Sequence, residues 1–360
     1  MPFTTAERDR FGPQKIHRWQ LEEWFPTNLS GIAALVNHAL ARYQRGGVTQ
    51  QMLDDAAYCC PQCEIVTVDA KRGLHFARRP GGKMDAMARL LRNLHGVRHL
   101  PPLRAYWCDH DVFVPPLSRQ GYCSSKLLPI FVHAKPAARK RDDYLNGLIA
   151  APENTFFMAY GGNSDNWEST RRLLLAAGHA VPWARRRDRL YFRGSGSGYR
   201  KFLNYSNDGR VPLEGAEEVK LSTRARAFPY VPLVEQCANK YLLHLPGAWP
   251  GHSNKLKWLM ACGAVVVMPQ NDWHEFWYPL LQPYETFIPT ENLAQTNGRD
   301  LPAVRRCLME HDLEAERIAS LTHQFVEQTL TTSFIFNYTR ELLTRYAALL
   351  SSKATATKYS

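Results

Sequence analysis

The chain has no long apolar run. None of its 360 residues falls in a stretch approaching the ~18 consecutive apolar positions that a membrane-spanning helix needs. The longest candidate, Trp258 to Met268, reads as a buried helix end followed by a strand. The opening MPFTTAERDRFGPQKIHRW mixes acids and bases without an apolar stretch, so no signal peptide is read in it. The closing KATATKYS carries no retention or lipidation motif. Eight cysteines are too few for a disulfide-scaffold protein. Internal repeats and low-complexity tracts are missing, as are the GxGxxG fingerprint and the P-loop lysine motif. Acids are outnumbered: 45 Lys and Arg against 33 Asp and Glu leave a net charge of +12. That excess points to anionic partners. No zinc finger, RNA-binding fingerprint or helix-turn-helix spacing accompanies it, and the basic residues are dispersed, so nucleic acid is not expected as a partner.

What is present is an ample core. Apolar residues make up 45% of the chain and aromatics 11%, which excludes a disordered or collagen-like protein. The length suits about two domains. Apolar residues recur at helical spacing over 15–56 and 84–95. EIVTVD (64–69), RAYWC (104–108) and LPIFVH (128–133) read as strands, followed by a charged, solvated segment from Lys135 to Asp143. A helix over 167–179 is expected to stop at Gly178. Further strands are expected over 189–192, 240–245 and 264–268, and helices over 254–262, 275–281 and, with one break near Thr331, 301–350. Alternation of strands and helices implies an α/β fold with parallel sheets, in two series that part near residue 185.

Three stretches carry chemistry. CCPQC places Cys59, Cys60 and Cys63 together; it suits half of a zinc site without its second half, local disulfides, or buried thiols. Cys108 and Cys123 stand alone. Arg193, Gly194, Ser195 and the following Gly/Ser residues come directly after a strand, where close backbone approach favours a phosphate or a flexible turn. Ser253, Lys255 and Lys257 follow a strand and a Gly/Pro loop at a helix start, a place where cations and helix N–H groups neutralise a diphosphate. Glu275 follows the next strand, where an acid can hold the two hydroxyls of a ribose.

These residues resemble glycosyltransferase family 90, the lipopolysaccharide-modifying and protein O-glucosyltransferase (Rumi-like) group. The likeness rests on YFRGS at 191–195 after Pro182 and Trp183, and on an ordered run that begins at Cys237. The run continues through KYL, Ser253-x-Lys255-x-Lys257, Leu259, Cys262-Gly263, Trp273, Glu275-Phe276 and Tyr278-Pro279 to Ile288-Pro289. The resemblance implies a GT-B architecture, two Rossmann-like doubly wound domains facing a cleft. The expected divisions are 1–185 (a helical segment and the acceptor-side domain), 186–325 (the donor domain) and 326–360 (a helix packing back across the domains). It implies a UDP-glucose or UDP-xylose donor, a protein serine or glycan hydroxyl as acceptor, inversion at the anomeric carbon, and no metal or other cofactor. By the same resemblance Asp111 is the first choice for the general base and Asp109 the second, while Arg193, Gly194, Ser195, Arg200, Ser253, Lys255, Lys257 and Glu275 hold the nucleotide. Cys237 and Cys262 fall where Rumi-like enzymes form a disulfide. That pairing, with sequons at Asn28, Asn204 and Asn337, suits a protein of the secretory lumen whose targeting segment lies outside this chain. A GT-B-shaped protein that binds a nucleotide-sugar or glycan without turnover is the alternative.

Overall fold

A computed structural model describes residues 31–350, apart from 70, 79–82, 109, 111–112, 138–140, 158–165, 196–217, 223–230, 248–252, 270–272 and 292–299. The chain divides into two compact units. Within the described residues, the first comprises 168–269 and 280–331, and the second 31–167, 273–279 and 332–350.

The second unit begins with helices α1 (Gly31–Ala39) and α2 (Gln50–Cys59). Thr49 caps α2, its hydroxyl accepting from the Met52 N–H at 3.2 Å. The sheet follows: β1 (Glu64–Asp69), β2 (Gly73–Phe76), then helix α3 (Lys83–Val97), β3 (Leu103–Trp107), β4 (Ile130–Val132), β5 (Lys135–Pro136) and β6 (Ile149–Ala150). Five of these strands lie in the order β2-β1-β3-β4-β6. The β2-β1-β3 side is antiparallel, and β3-β4-β6 is parallel. The purely parallel expectation therefore fails on one side of this sheet. Asp69, which accepts from the N–H groups of Lys71 and Arg72, turns the chain into a hairpin that the apolar pattern does not announce.

The first unit holds helix α4 (Trp167–Ala180), then β7 (Arg187–Ser195), β8 (Glu218–Ser222), β9 (Asn239–Leu243), α5 (Leu256–Ala261) and β10 (Val265–Pro269). The short β11 (Trp273–His274) belongs to the second unit, where it pairs antiparallel with β5. The first unit resumes with β12 (Ile288–Thr290), α6 (Leu301–Glu310) and α7 (Asp312–Gln328). Its five strands, ordered β12-β10-β9-β7-β8, are all parallel. Parallel sheets bury both faces, and NKYLL and VVVMP are accordingly buried along their whole length, Asn239 and Lys240 included. Leu190, Phe192, Tyr241, Leu243, Val265 and Val267 meet Val304, Leu308 and Ile318 of α6 and α7 in one core. The last helix, α8 (Thr332–Leu349), returns to the second unit. There its Tyr338 hydroxyl donates to the Ala150 carbonyl at 2.8 Å and its Tyr346 hydroxyl to that of Arg104 at 3.1 Å.

Several expectations need correction. The first unit starts at Glu168, ahead of the expected 185/186 division, because α4 packs onto this unit: a Cβ on Gly178 would sit 2.6 Å from the Cys262 carbonyl. Gly178 thus serves close approach within a continuing helix and does not stop it. Gly263, by contrast, does end its helix, with φ of +59°. The expected 186–325 domain is interrupted at 273–279, where Phe276 packs 4.5 Å from the Tyr338 ring and 5.8 Å from that of Phe156. Residues 275–281 begin with chain leaving β11, and only Tyr278–Leu280 makes a helical turn. Lys135 is not a solvated charge but the first residue of β5, partly buried. Cys123 does not stand alone; it is bonded to Cys59. Cys60–Cys63 and Cys237–Cys262 are disulfides as well. Among the described residues no helix is long and apolar enough to cross a membrane.

Candidate functional site

In open parallel sheets, ligands bind beyond the carboxyl ends of the strands. In the first unit β7 runs out through Arg193, Gly194 and Ser195, in register with Lys220, Leu221 and Ser222 of β8. These three residues are strand to the end rather than part of a turn. Beside them β9 leads to His244, fully buried, whose N–H donates to the Val267 carbonyl at 2.9 Å. β12 ends at the fully buried Thr290.

Lys255 connects this edge to α5. It is the N-cap of that helix. Its ammonium donates to the Arg193 carbonyl at 2.5 Å and stands 4.7 Å from the centre of the Phe192 ring. Two residues 62 positions apart therefore form one cationic locus at the end of β7. The buried Ser253 precedes it by two positions. Lys257 has a different setting: it is fully buried, donates to the Asn254 carbonyl at 2.9 Å and lies 5.1 Å from the Trp258 ring centre. Arg200 lies outside the described residues, and so does the side chain of Ser195. The Cys237–Cys262 disulfide ties the residues ahead of β9 to the end of α5, holding the strand and helix that flank the locus.

Glu275 belongs to the second unit. Its carboxylate accepts from the Trp277 indole N–H at 3.0 Å and is 2% exposed. Trp277 and Phe276 are buried aromatic packing. The same unit buries a second carboxylate that sequence reading passed over. Glu153 follows β6 and accepts from the Thr155 hydroxyl. Burial pushes the Tyr278 hydroxyl well above the usual tyrosine range, and Glu275 and then Glu153 push it further. A polar residue directly after a short apolar strand was the available signal, as in IAAPE and IFVH. Asp109 and Asp111 follow Cys108 at the end of β3 and lie outside the described residues.

A basic cluster also escaped the sequence reading. Lys135 is pushed down to about 8 by loss of water and then by Arg42, and His38 down to about 4 by burial and then by Lys135. The signal was a lysine two residues past an apolar strand, masked by the charged run after it. For metals, one trio of ligand-type side chains exists among the described residues: Cys60, Cys63 and Cys108, whose sulfurs lie within 4.8 Å of one another. Two of those three are already joined to each other.

The model of the family described as Glycosyl transferase family 90 matches residues 34–360. O-glucosyltransferase rumi of Drosophila melanogaster is 26% identical over 340 residues, covering 88% of this chain and 77% of that protein. Protein O-glucosyltransferase 1 of Rattus norvegicus is 29% identical over 201 residues, or 53% of this chain and 50% of that protein. Its Homo sapiens counterpart is 28% identical over the same length. The match to the rat and human proteins thus spans half of their length, whereas the family match takes in both compact units, with Lys255 at the end of β7 and Glu275 beyond β11. This chain belongs to glycosyl transferase family 90.

Proposed function

We propose that the chain transfers glucose or xylose from a UDP-sugar to a hydroxyl of a protein serine or a glycan, with inversion and without a metal, on a GT-B type pair of Rossmann-like domains. The observation that carries this reading is the meeting of Lys255 with Arg193 at the carboxyl end of β7, in a chain of a glycosyl transferase family. The relatives named as O-glucosyltransferases support glucose and a protein acceptor.

In this reading the diphosphate lies over the end of β7. Arg193, Gly194, Ser195 and Ser253 hold it by side-chain and backbone donors, with Arg200 and Lys257 adding cationic character. Lys255 neutralises charge on the β-phosphate as it departs. Glu275 accepts from the ribose hydroxyls. Asp111, or Asp109 in its place, takes the proton of the acceptor hydroxyl. The acceptor oxygen forms its bond to the anomeric carbon from the face opposite UDP, the carbon–oxygen bond to the phosphate breaks, and UDP leaves with the electron pair. The three disulfides fit maturation in the oxidising lumen of the secretory pathway.

The test is UDP release by the purified protein with EDTA present. UDP-sugars are offered one at a time, with and without a glycoprotein or glycan acceptor pool. Acceptor-dependent release with UDP-glucose or UDP-xylose is expected. UDP binding without release from any donor would replace transfer by binding alone, and absence of UDP binding would overturn both.

A further inference from the structure

The second unit keeps a buried thiol against a buried disulfide. Cys60 and Cys63 are bonded to each other, Cys108 carries a thiol, and the three sulfurs lie within 4.8 Å of one another. All three residues are at most 3% exposed. The strand register gives this closeness a direction. β1 and β3 are antiparallel, with Glu64 opposite Trp107. The ladder ends at that pair, and its register extended by one step sets Cys63 opposite Cys108. Directly opposed residues of an antiparallel pair have Cα atoms about 4.5–5.5 Å apart, inside the ~4.4–6.8 Å range that a disulfide spans. The backbone of Cys108 is pinned, its N–H donating to the Phe131 carbonyl at 2.9 Å. The Cys60–Cys63 turn is held by the Cys63 N–H to the Cys60 carbonyl at 3.0 Å and by the Cys60 N–H to the Ala56 carbonyl at 2.8 Å.

We infer that Cys108 is a resident exchange partner for the Cys60–Cys63 disulfide, and that the protein interconverts between that pairing and a Cys63–Cys108 cross-strand disulfide. The step needs no oxidant. The Cys108 thiolate attacks Sγ of Cys63, the Cys63–Cys108 bond forms as the Cys60–Cys63 bond breaks, and Cys60 leaves as a thiolate that takes up the proton Cys108 released. The sulfurs, within 4.8 Å of one another, lie near the ~3–3.5 Å from which such attacks proceed. Burial in apolar surroundings keeps the thiolate fraction low, so the exchange is slow, on the scale of minutes to hours.

The two isomers differ in what they constrain. Cys60–Cys63 closes a sequence separation of 3. Cys63–Cys108 would close the whole β1–α3–β3 segment, and longer closed loops restrict the unfolded chain more. Cys108 also immediately precedes Asp109 in the chain. The exchange therefore changes the covalent anchor of the residue from which the loop with the candidate bases departs. Cys59, bonded to Cys123, takes no part and keeps α2 in place in either state.

The test is disulfide mapping of the intact wild-type protein. It is held for hours at neutral pH, acid-quenched, unfolded, alkylated, and its peptides are identified by mass spectrometry. Alkylation shared between Cys108 and Cys60, with a Cys63–Cys108 peptide pair present, is the expected result. A C60S variant incubated with glutathione disulfide as oxidant, which is reduced to two glutathione thiols, should form Cys63–Cys108 and leave no thiol in the trio; wild-type mapping decides the matter even where that variant fails to fold. Cys307, also a thiol, is alkylated in every state; within the trio, alkylation of Cys108 alone in the wild type would overturn the inference. Alkylation of all three trio cysteines accompanied by bound zinc would overturn it too, assigning the trio to a metal. No sugar-transfer assay enters, so the outcome is independent of the proposed reaction.

Discussion

Each unit carries a five-stranded sheet, yet the two sheets gather opposite charges at their carboxyl edges. The all-parallel sheet brings cations there, Arg193 and Lys255, and binds the Lys255 ammonium through the Arg193 carbonyl and the Phe192 ring. The second unit brings carboxylates: Glu153 after β6 of its mixed sheet, Glu275 after β11 of the separate two-stranded sheet, and in the sequence after β3 the pair Asp109 and Asp111. In the proposed reaction a phosphate leaving group would meet the first kind of edge, and proton abstraction by Asp111 or Asp109 would fall to the second.

The largest expected effect breaks the acidic side of this comparison. Asp111→Asn should lower kcat by about 10²–10⁴, the usual worth of a general base, while UDP affinity measured by calorimetry stays unchanged. Asp109→Asn should leave kcat within a few-fold. The reverse ranking would move the base to Asp109, and loss of UDP affinity in either variant would abolish the division of labour.

On the cationic side, Lys255→Ala should weaken UDP binding about 10–100-fold, which corresponds to the ~1.5–3 kcal/mol of a hydrogen bond to a charged group. Lys255→Arg should recover much of that loss, because the charge is restored although the tie to the Arg193 carbonyl is remade in a different shape. Equal UDP affinity for wild type and Lys255→Ala would detach the locus at the end of β7 from the nucleotide.

The comparison also extends to packing. Gly178 in the first unit and Gly147 in the second both sit where a Cβ would lie 2.6 Å from backbone, of Cys262 and Leu128 respectively. Overpacking of this kind costs about 1–3 kcal/mol. Gly178→Ala and Gly147→Ala should each lower Tm by several degrees in calorimetry. If the units unfold separately, each variant shifts a different transition; a single common shift would show that they melt together.

How much of this was legible in the sequence depended on the range of the forces involved. β1, β7, β9 and β10 announce themselves because three or more consecutive apolar or β-branched residues act locally. β5 and β11 have two residues each and exist only because they pair with one another across more than a hundred positions of chain. Gly178 read as a stop because a propensity cannot sense the Cys262 carbonyl pressing on it. The Cys59–Cys123 bond spans 64 positions and had no local sign. In the candidate site the cations were visible as a spaced motif, but the contact of Lys255 with Arg193 depends on the pairing of β7 with β9. Glu153 was passed over because burial, not spacing, distinguishes it from a loop acid.

The smallest expected effect is a pH dependence confined to the first unit. His323 on α7 meets His179 of α4, their Nε2 atoms 2.9 Å apart. Burial, then His179, lower the His323 pKa from 6.5 to about 4; Arg186 adds to this and Glu327 opposes it. Above pH 6.5 the ring is neutral in both folded and unfolded chains, so it contributes no pH dependence. Below 6.5 the unfolded chain binds a proton that the native ring refuses until about pH 4, and stability therefore falls as pH falls across that window. The slope from one such group cannot exceed about 1.4 kcal/mol per pH unit. His323→Gln, which cannot be protonated, should flatten the decline in Tm of the first unit between pH 6.5 and 4 by a few degrees and leave the second unit's transition where it was. An unchanged slope would mean that His323 does not govern the acid limit of the all-parallel unit.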